Sequence, residues 1–67
     1  MNKKIIEINE RYFINIVYSN DITRLYQLID RKKEEIVLES FSRDAFLLKT
    51  NKVVKITNKI ELLVASI

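Results

Sequence analysis

The chain has 67 residues and a mass of 8.0 kDa, enough for one small domain spanning residues 1–67. It contains no Cys, His, Trp, Gly or Pro, which excludes disulfides, thiolate and imidazole metal sites, and glycine-rich phosphate loops. Its net charge of +3 and pI near 9.3 permit a nucleic-acid partner without requiring one. We therefore expect a protein that is not an enzyme and carries no cofactor or metal.

The N-terminal segment does not read as a targeting sequence. Its short apolar run is interrupted by Glu7, too early for a signal peptide. No apolar run in the chain approaches the ~18 residues that suggest a membrane span. The expected location is the cytoplasm, without membrane contact.

Short apolar runs separated by polar residues predict strands along the whole chain. Ile occurs eleven times and Ala twice, and β-branched residues favour strands. The clearest run is Arg11–Tyr18, where Ile14 and Ile16 lie on one face and Asn15 on the other. Seven strands are predicted: Lys3–Ile8, Arg11–Tyr18, Thr23–Ile29, Glu35–Phe41, Ala45–Thr50, Lys52–Thr57 and Ile60–Ser66.

Turn-forming residues occupy the gaps between these runs. In a chain without Gly, positive φ angles are expected at Asn and Asp, which tolerate them best. The predicted turns are Asn9-Glu10, Asn20-Asp21, Asn51-Lys52 and Asn58-Lys59, with Ser42-Arg43-Asp44 and the charged stretch Asp30–Glu35 in the remaining gaps. This regular spacing is typical of a small antiparallel β-sandwich, so we expect an all-β fold.

An alternative stays open for residues 21–41. Asp21 could cap a helix that has Leu25, Leu28 and Ile29 on one side, which would make the fold α+β. Lys32 interrupts that apolar stripe, so the pattern favours two strands over a helix around residues 21–41.

Size and aromatic content bear on assembly and packing. A monomer of this length buries only about 60% of the surface that its unfolded chain exposes. With no disulfide or metal to add stability, we expect identical subunits to associate and to bury apolar faces between them. Core positions are expected for Phe13, Phe41 and Phe46.

Basic residues supply the candidate binding site. In an extended strand, Lys49 and Asn51 share a face and could reach a base edge or a phosphate together. Arg31 and Lys32 belong to a second basic group. The competing interpretation is that these cations keep an outer face soluble and protect sheet edges.

Three segments resemble the trp RNA-binding attenuation protein family: Ile14–Val17, Lys33–Ser42 and Leu47–Asn51. That family has a Lys-Gly-Glu turn, an apolar strand ending in Phe-Thr, and an apolar strand carrying Lys-x-Arg. Chain length and the predicted strand number agree with it. The resemblance implies a seven-stranded antiparallel β-sandwich, completed by strands of the neighbouring subunit and closed into a ring.

The resemblance also implies ligands. In the family, tryptophan binds between subunits and single-stranded RNA winds round the ring. Lys49 matches the first RNA-reading Lys, Asn51 stands where the family has Arg, and Arg31 lies beside Asp30 at the remaining Lys position. Phe46 replaces a serine of the tryptophan site and would fill the space of the ligand, so tryptophan control is not expected.

The sequence thus predicts a ring-forming homo-oligomer resembling the attenuation proteins, with weak or altered binding of single-stranded RNA at Lys49, Asn51, Arg31 and Lys32. The alternative is a structural or partner-binding small protein, such as a phage-type inhibitor of a host protein, without a nucleic-acid role.

Overall fold

The computed structural model describes residues 2–54, which form four strands followed by one helix. The strands are β1 (Asn2–Glu7), β2 (Tyr12–Tyr18), β3 (Arg24–Asp30) and β4 (Glu35–Ser40), and the helix is α1 (Arg43–Val54). Each strand pairs antiparallel with the one before it, so the sheet order is β1-β2-β3-β4. The first four predicted strands are confirmed, each within one residue at either end.

Asparagine side chains shape the first two turns. The Asn9 Oδ1 accepts hydrogen bonds from the backbone N–H groups of Arg11 and Tyr12, at 2.9 and 2.8 Å. In the second turn, Asn20 Oδ1 accepts from the N–H groups of Ile22 and Thr23, at 2.8 and 2.7 Å. Such side-chain acceptors replace a missing backbone partner and allow a tight reversal without Gly. Both predicted turns are confirmed.

The turn between β3 and β4 departs from the expectation about positive φ. Asp30 Oδ1 accepts from the N–H groups of Lys32 and Lys33, at 2.9 and 3.2 Å. Among the described residues, the positive φ falls at Glu34, with a value of 54°, and not at an Asn or Asp. Asp30 cannot fill that position because it is the last residue of β3 and its carboxylate holds the start of the turn.

The described chain ends in a 12-residue helix, so the strand predicted at Ala45–Thr50 is wrong, as is the start of Lys52–Thr57. Ser42 caps the helix: its Oγ accepts from the N–H of Ala45 at 3.3 Å, and its carbonyl accepts from Phe46 N–H at 2.9 Å. The predicted turn at Asn51-Lys52 therefore lies inside α1, while Thr57, Asn58-Lys59 and the strand at Ile60–Ser66 lie outside the described residues.

One face of the sheet packs against α1 to form the core. Side chains from all four strands meet Phe46 and Leu47 there, and the Phe46 and Tyr26 ring centroids lie 5.6 Å apart. The buried apolar residues are Ile6, Ile8, Ile14, Ile16, Tyr26, Leu28, Phe46 and Leu47. The expected core position is confirmed for Phe46, whereas Phe13 is half-buried and Phe41 is 66% exposed.

The described residues are mostly strand, with one helix on one side of a four-stranded antiparallel sheet. The prediction of a seven-stranded sandwich is therefore wrong, because a helix covers the face that a second layer of strands would cover. The helix around residues 21–41 is wrong as well, since β3 and β4 occupy that segment. Assembly into a ring stays a prediction.

Candidate binding surface

The sheet has a second face that no other described element covers. Successive strand residues point to opposite sides of the sheet, so the residues that alternate with the core residues form this second face. The helix packs on the core side, where its Phe46 ring contacts the Tyr26 ring of β3. We call the second set the open face; it consists of Lys3, Ile5, Glu7, Phe13, Asn15, Val17, Leu25, Gln27, Ile29, Ile36 and Glu39.

Apolar side chains make up most of the open face. Ile5 on β1 is 51% exposed and Ile36 on β4 is 50% exposed, so apolar surface reaches both edges of the sheet. At about 4.8 Å per strand and about 3.3 Å per residue, four strands of about six residues cover roughly 400 Å² in projection. A sheet face of this size, with apolar side chains on both sides of its middle, is large enough for an interaction site.

A polar row crosses the middle of the open face. Asn15 Nδ2 donates to Gln27 Oε1 at 2.9 Å, and Gln27 Nε2 donates to Glu39 Oε2 at 3.0 Å. The Glu39 carboxylate can only accept, which fixes the direction of both amides. Asn15 Oδ1 consequently lies at the far end of the row, where it is buried without a hydrogen-bond partner in the structure.

One end of the open face carries a charged pair. Arg31 Nη1 donates to Glu7 Oε2 at 2.6 Å, and Arg31 Nη2 bonds the other carboxylate oxygen. These bonds hold the pKa of Glu7 below its ordinary value. The same guanidinium stacks over the Phe13 ring, with 4.5 Å from Cζ to the ring centroid. Arg31 therefore links the β3–β4 turn to β1 and β2.

The residues predicted to bind nucleic acid lie on two different elements. Arg31 and Lys32 are in the turn after β3, and both are exposed. Lys49 and Asn51 lie on α1, where residues two apart are separated by about 200° around the axis. The shared face expected for a strand is therefore wrong: Lys49 is exposed, while Asn51 is half-buried with its Oδ1 buried and without a partner in the structure.

The open face is not among the predicted sites, although the sequence of β2 carries a signal for it. Phe13 and Val17 lie on the open face, whereas Ile14 and Ile16 lie in the core. A strand that is apolar on both sides gives a nearly continuous apolar run instead of strict alternation. Only Asn15 interrupts that run, and its amide belongs to the polar row.

Other classes of site are not apparent in residues 2–54. No group of three or more acidic side chains in that part of the chain converges to hold a metal ion. Within the same range, no helix has the length and apolar character needed to span a membrane. No protein family, curated protein or solved structure matches this chain.

Proposed function

We propose that the protein is a cytoplasmic, non-enzymatic binding protein whose open face contacts another protein. The observation that carries this proposal is the apolar sheet face opposite α1, with Ile5 and Ile36 each about half exposed. A chain this small gains stability and solubility when such a face is covered. The partner-binding alternative from the sequence is thus preferred to RNA recognition.

Charge and stacking geometry support a protein partner over a nucleic acid. The open face and its charged pair carry two cations, Lys3 and Arg31, and two anions, Glu7 and Glu39. Phosphate backbones are bound by an excess of Lys and Arg, which this face does not have. The Phe13 ring has the Arg31 guanidinium stacked over it, so that ring face is not free to stack on a base.

Site-specific photo-crosslinking in cells that express the protein tests this proposal. A benzophenone side chain is placed at Ile36 on the open face or at Leu48, which is 63% exposed on the outer side of α1. We expect protease-sensitive adducts from position 36 and few from position 48. Equal labelling from both positions, or no adduct from position 36, would overturn the proposal.

A second candidate function is weak binding of single-stranded RNA by an oligomeric ring, as the family resemblance implies. It is favoured by the exposure of Arg31, Lys32 and Lys49. Because Asn51 does not accompany Lys49 on one face, Lys49 would contact phosphate and not read bases. Tryptophan has no part in this candidate, since the Phe46 side chain is buried against Tyr26.

Filter binding of a single-stranded oligoribonucleotide at low salt tests the RNA candidate. We expect binding to weaken with added salt and Lys49→Ala to abolish it, because one contact is lost in every subunit. Lys3→Ala on the open face removes the same charge elsewhere and should leave binding nearly unchanged. Absence of binding by the wild type would eliminate this candidate.

A further inference from the structure

We propose that the partner seated on the open face is a second copy of this chain. Two sheets would then pack face to face, with both α1 helices on the outside. This inference rests on the proposed function and names its partner. It makes the chain a homodimer in which a β-sandwich forms between subunits and not within one.

Charge complementarity favours a second copy. The chain carries a net charge of +3, which by itself repels a copy, but Lys3 and Arg31 on the open side balance Glu7 and Glu39. A face with balanced charges has no net repulsion for a second copy, and it attracts that copy where opposite charges meet.

The order of charges along β1 fits a twofold arrangement. Lys3 and Glu7 lie at opposite ends of the same side of β1. A twofold axis along the polar row would reverse the strand direction, bringing Lys3 of each copy to the end where the other carries Glu7. Glu39 lies at the end of that axis on the edge strand β4, so the two Glu39 carboxylates would approach each other at the exposed rim, where water screens their repulsion.

The polar row suits the middle of such an interface. Asn15 Oδ1 is buried and accepts no hydrogen bond in the structure. Its own chain covers that oxygen, so the row meets the second copy through the side chains of Asn15, Gln27 and Glu39, whose hydrogen bonds to one another stay intact. A single polar feature within an apolar interface also fixes how two copies align.

The size of the face sets the strength of the expected dimer. Roughly 400 Å² in projection on each copy places the contact at the lower end of specific interfaces. The dimer should therefore dissociate on dilution, in contrast to an obligate oligomer.

Sedimentation equilibrium of the full chain, from about 1 μM to about 1 mM, tests the inference across the range where weak interfaces form. We expect the mass to rise from 8.0 kDa towards twice that value. Ile36→Lys should weaken association on the order of 100-fold, because it places a charge in an apolar contact. Leu48→Lys is the matched control, since Leu48 is similarly exposed but lies on α1, and it should associate like the wild type.

A wild type that stays monomeric throughout would overturn the second copy as partner. A larger assembly that Ile36→Lys leaves intact would overturn it as well.

Distance measurements test the geometry of the dimer. The chain has no Cys, so Leu48→Cys introduces one site for a spin label. With about 10 Å between successive layers, helix, sheet, sheet and helix place the two helix axes about 30 Å apart. A distance near this value or slightly longer, given the label arms, is expected; one below about 20 Å would mean that the helices form the contact and would overturn the inference.

Thiol labelling of Ile36→Cys separates failure of this inference from failure of the proposed function. If the chain is monomeric and this thiol reacts as fast as a free thiol, the face is open, so the second copy is rejected while protein binding stands. If the chain is monomeric and the thiol is protected, residues of the same chain cover the face and both proposals fall.

Discussion

The guanidinium of Arg11 forms an ion pair with the carboxylate of Asp30 at one end of the sheet. Arg11 Nε and Nη2 donate to Asp30 Oδ2 at 3.1 and 2.9 Å, and Arg11 also stacks over the Tyr12 ring. Asp30 Oδ1 holds the next turn through the N–H groups of Lys32 and Lys33. One buried carboxylate thus joins the β1–β2 turn to the β3–β4 turn, and its charge should matter for stability.

The first prediction concerns the loss of folding stability at low pH. The hydrogen bonds from Arg11, and those from the turn backbone, lower the pKa of Asp30 from its ordinary value of 3.8. A lowered pKa in the folded state gives stability that is present above the ordinary value and is lost as the pH falls through the folded value. We expect the urea midpoint of the wild type to fall between about pH 5 and about pH 2.

The variant Asp30→Asn should have a lower urea midpoint at pH 7 and should lose part of that acid dependence. Glu7→Gln is the control, because Glu7 also has a lowered pKa but its pair with Arg31 is exposed. Its midpoint at pH 7 should move less than that of Asp30→Asn. Equal shifts of the urea midpoint for the two variants would contradict a larger contribution of Asp30 to stability.

The second prediction concerns Thr50, which is fully buried on α1. Its Oγ1 has no hydrogen-bond partner in the structure, although it lies in an apolar core. Thr50→Val should raise the free energy of unfolding by about 1 kcal/mol, because it removes an unsatisfied hydroxyl with little change of shape. Thr50→Ser keeps the hydroxyl and loses a methyl group, so it should lower stability by about 1 kcal/mol. Urea unfolding followed by circular dichroism measures both.

The third prediction uses the left-handed backbone of Glu34. A residue with a Cβ is strained at its φ of 54°, whereas Gly is not. Glu34→Gly should therefore stabilise the chain by about 0.5–1 kcal/mol, the strain relief exceeding the entropy gained by the unfolded state. Lys33→Gly, next to it at negative φ, should destabilise the chain instead. If both changes destabilise to the same degree, the turn stores no strain at Glu34.

The fourth prediction compares two phenylalanines that differ in burial. Phe46→Ala should cost about 3–5 kcal/mol of the free energy of unfolding, because its ring is fully buried against Tyr26. Phe41 is 66% exposed, so Phe41→Ala should change stability by about 0.5 kcal/mol or less in the monomer. Thermal unfolding at low protein concentration measures the difference, and similar losses would contradict the helix placement.

The four strands could be predicted from sequence because alternation and Asn-centred turns are local signals. The turn acceptors Asn9 and Asn20 lie only two and three residues from the N–H groups that they bind. Nothing beyond the next few residues is needed to specify such a reversal. Composition and residue spacing are therefore enough to predict the four strands and the first two turns.

The sequence does not predict the helix, because apolar residues are not confined to one side of it. Phe46, Leu47 and Thr50 have helical spacing, but the exposed Leu48 adds an apolar residue on the other side. Ser42 lies in a predicted turn, although Ser is also a preferred helix cap and caps α1 in the structure. The placement of Lys49 beside Asn51 depended on the strand, so that part of the predicted site failed with it.

The order of elements has a consequence for how the chain acquires its structure. Each strand pairs with its immediate predecessor, so most pairing needs only short loops to close, which favours rapid folding. Among the elements of residues 2–54 the helix comes last, and Phe46 reaches the core only after β4 is complete. During synthesis the half-made sheet therefore exposes apolar side chains on both faces, and this is the stage at which the chain is most prone to aggregate.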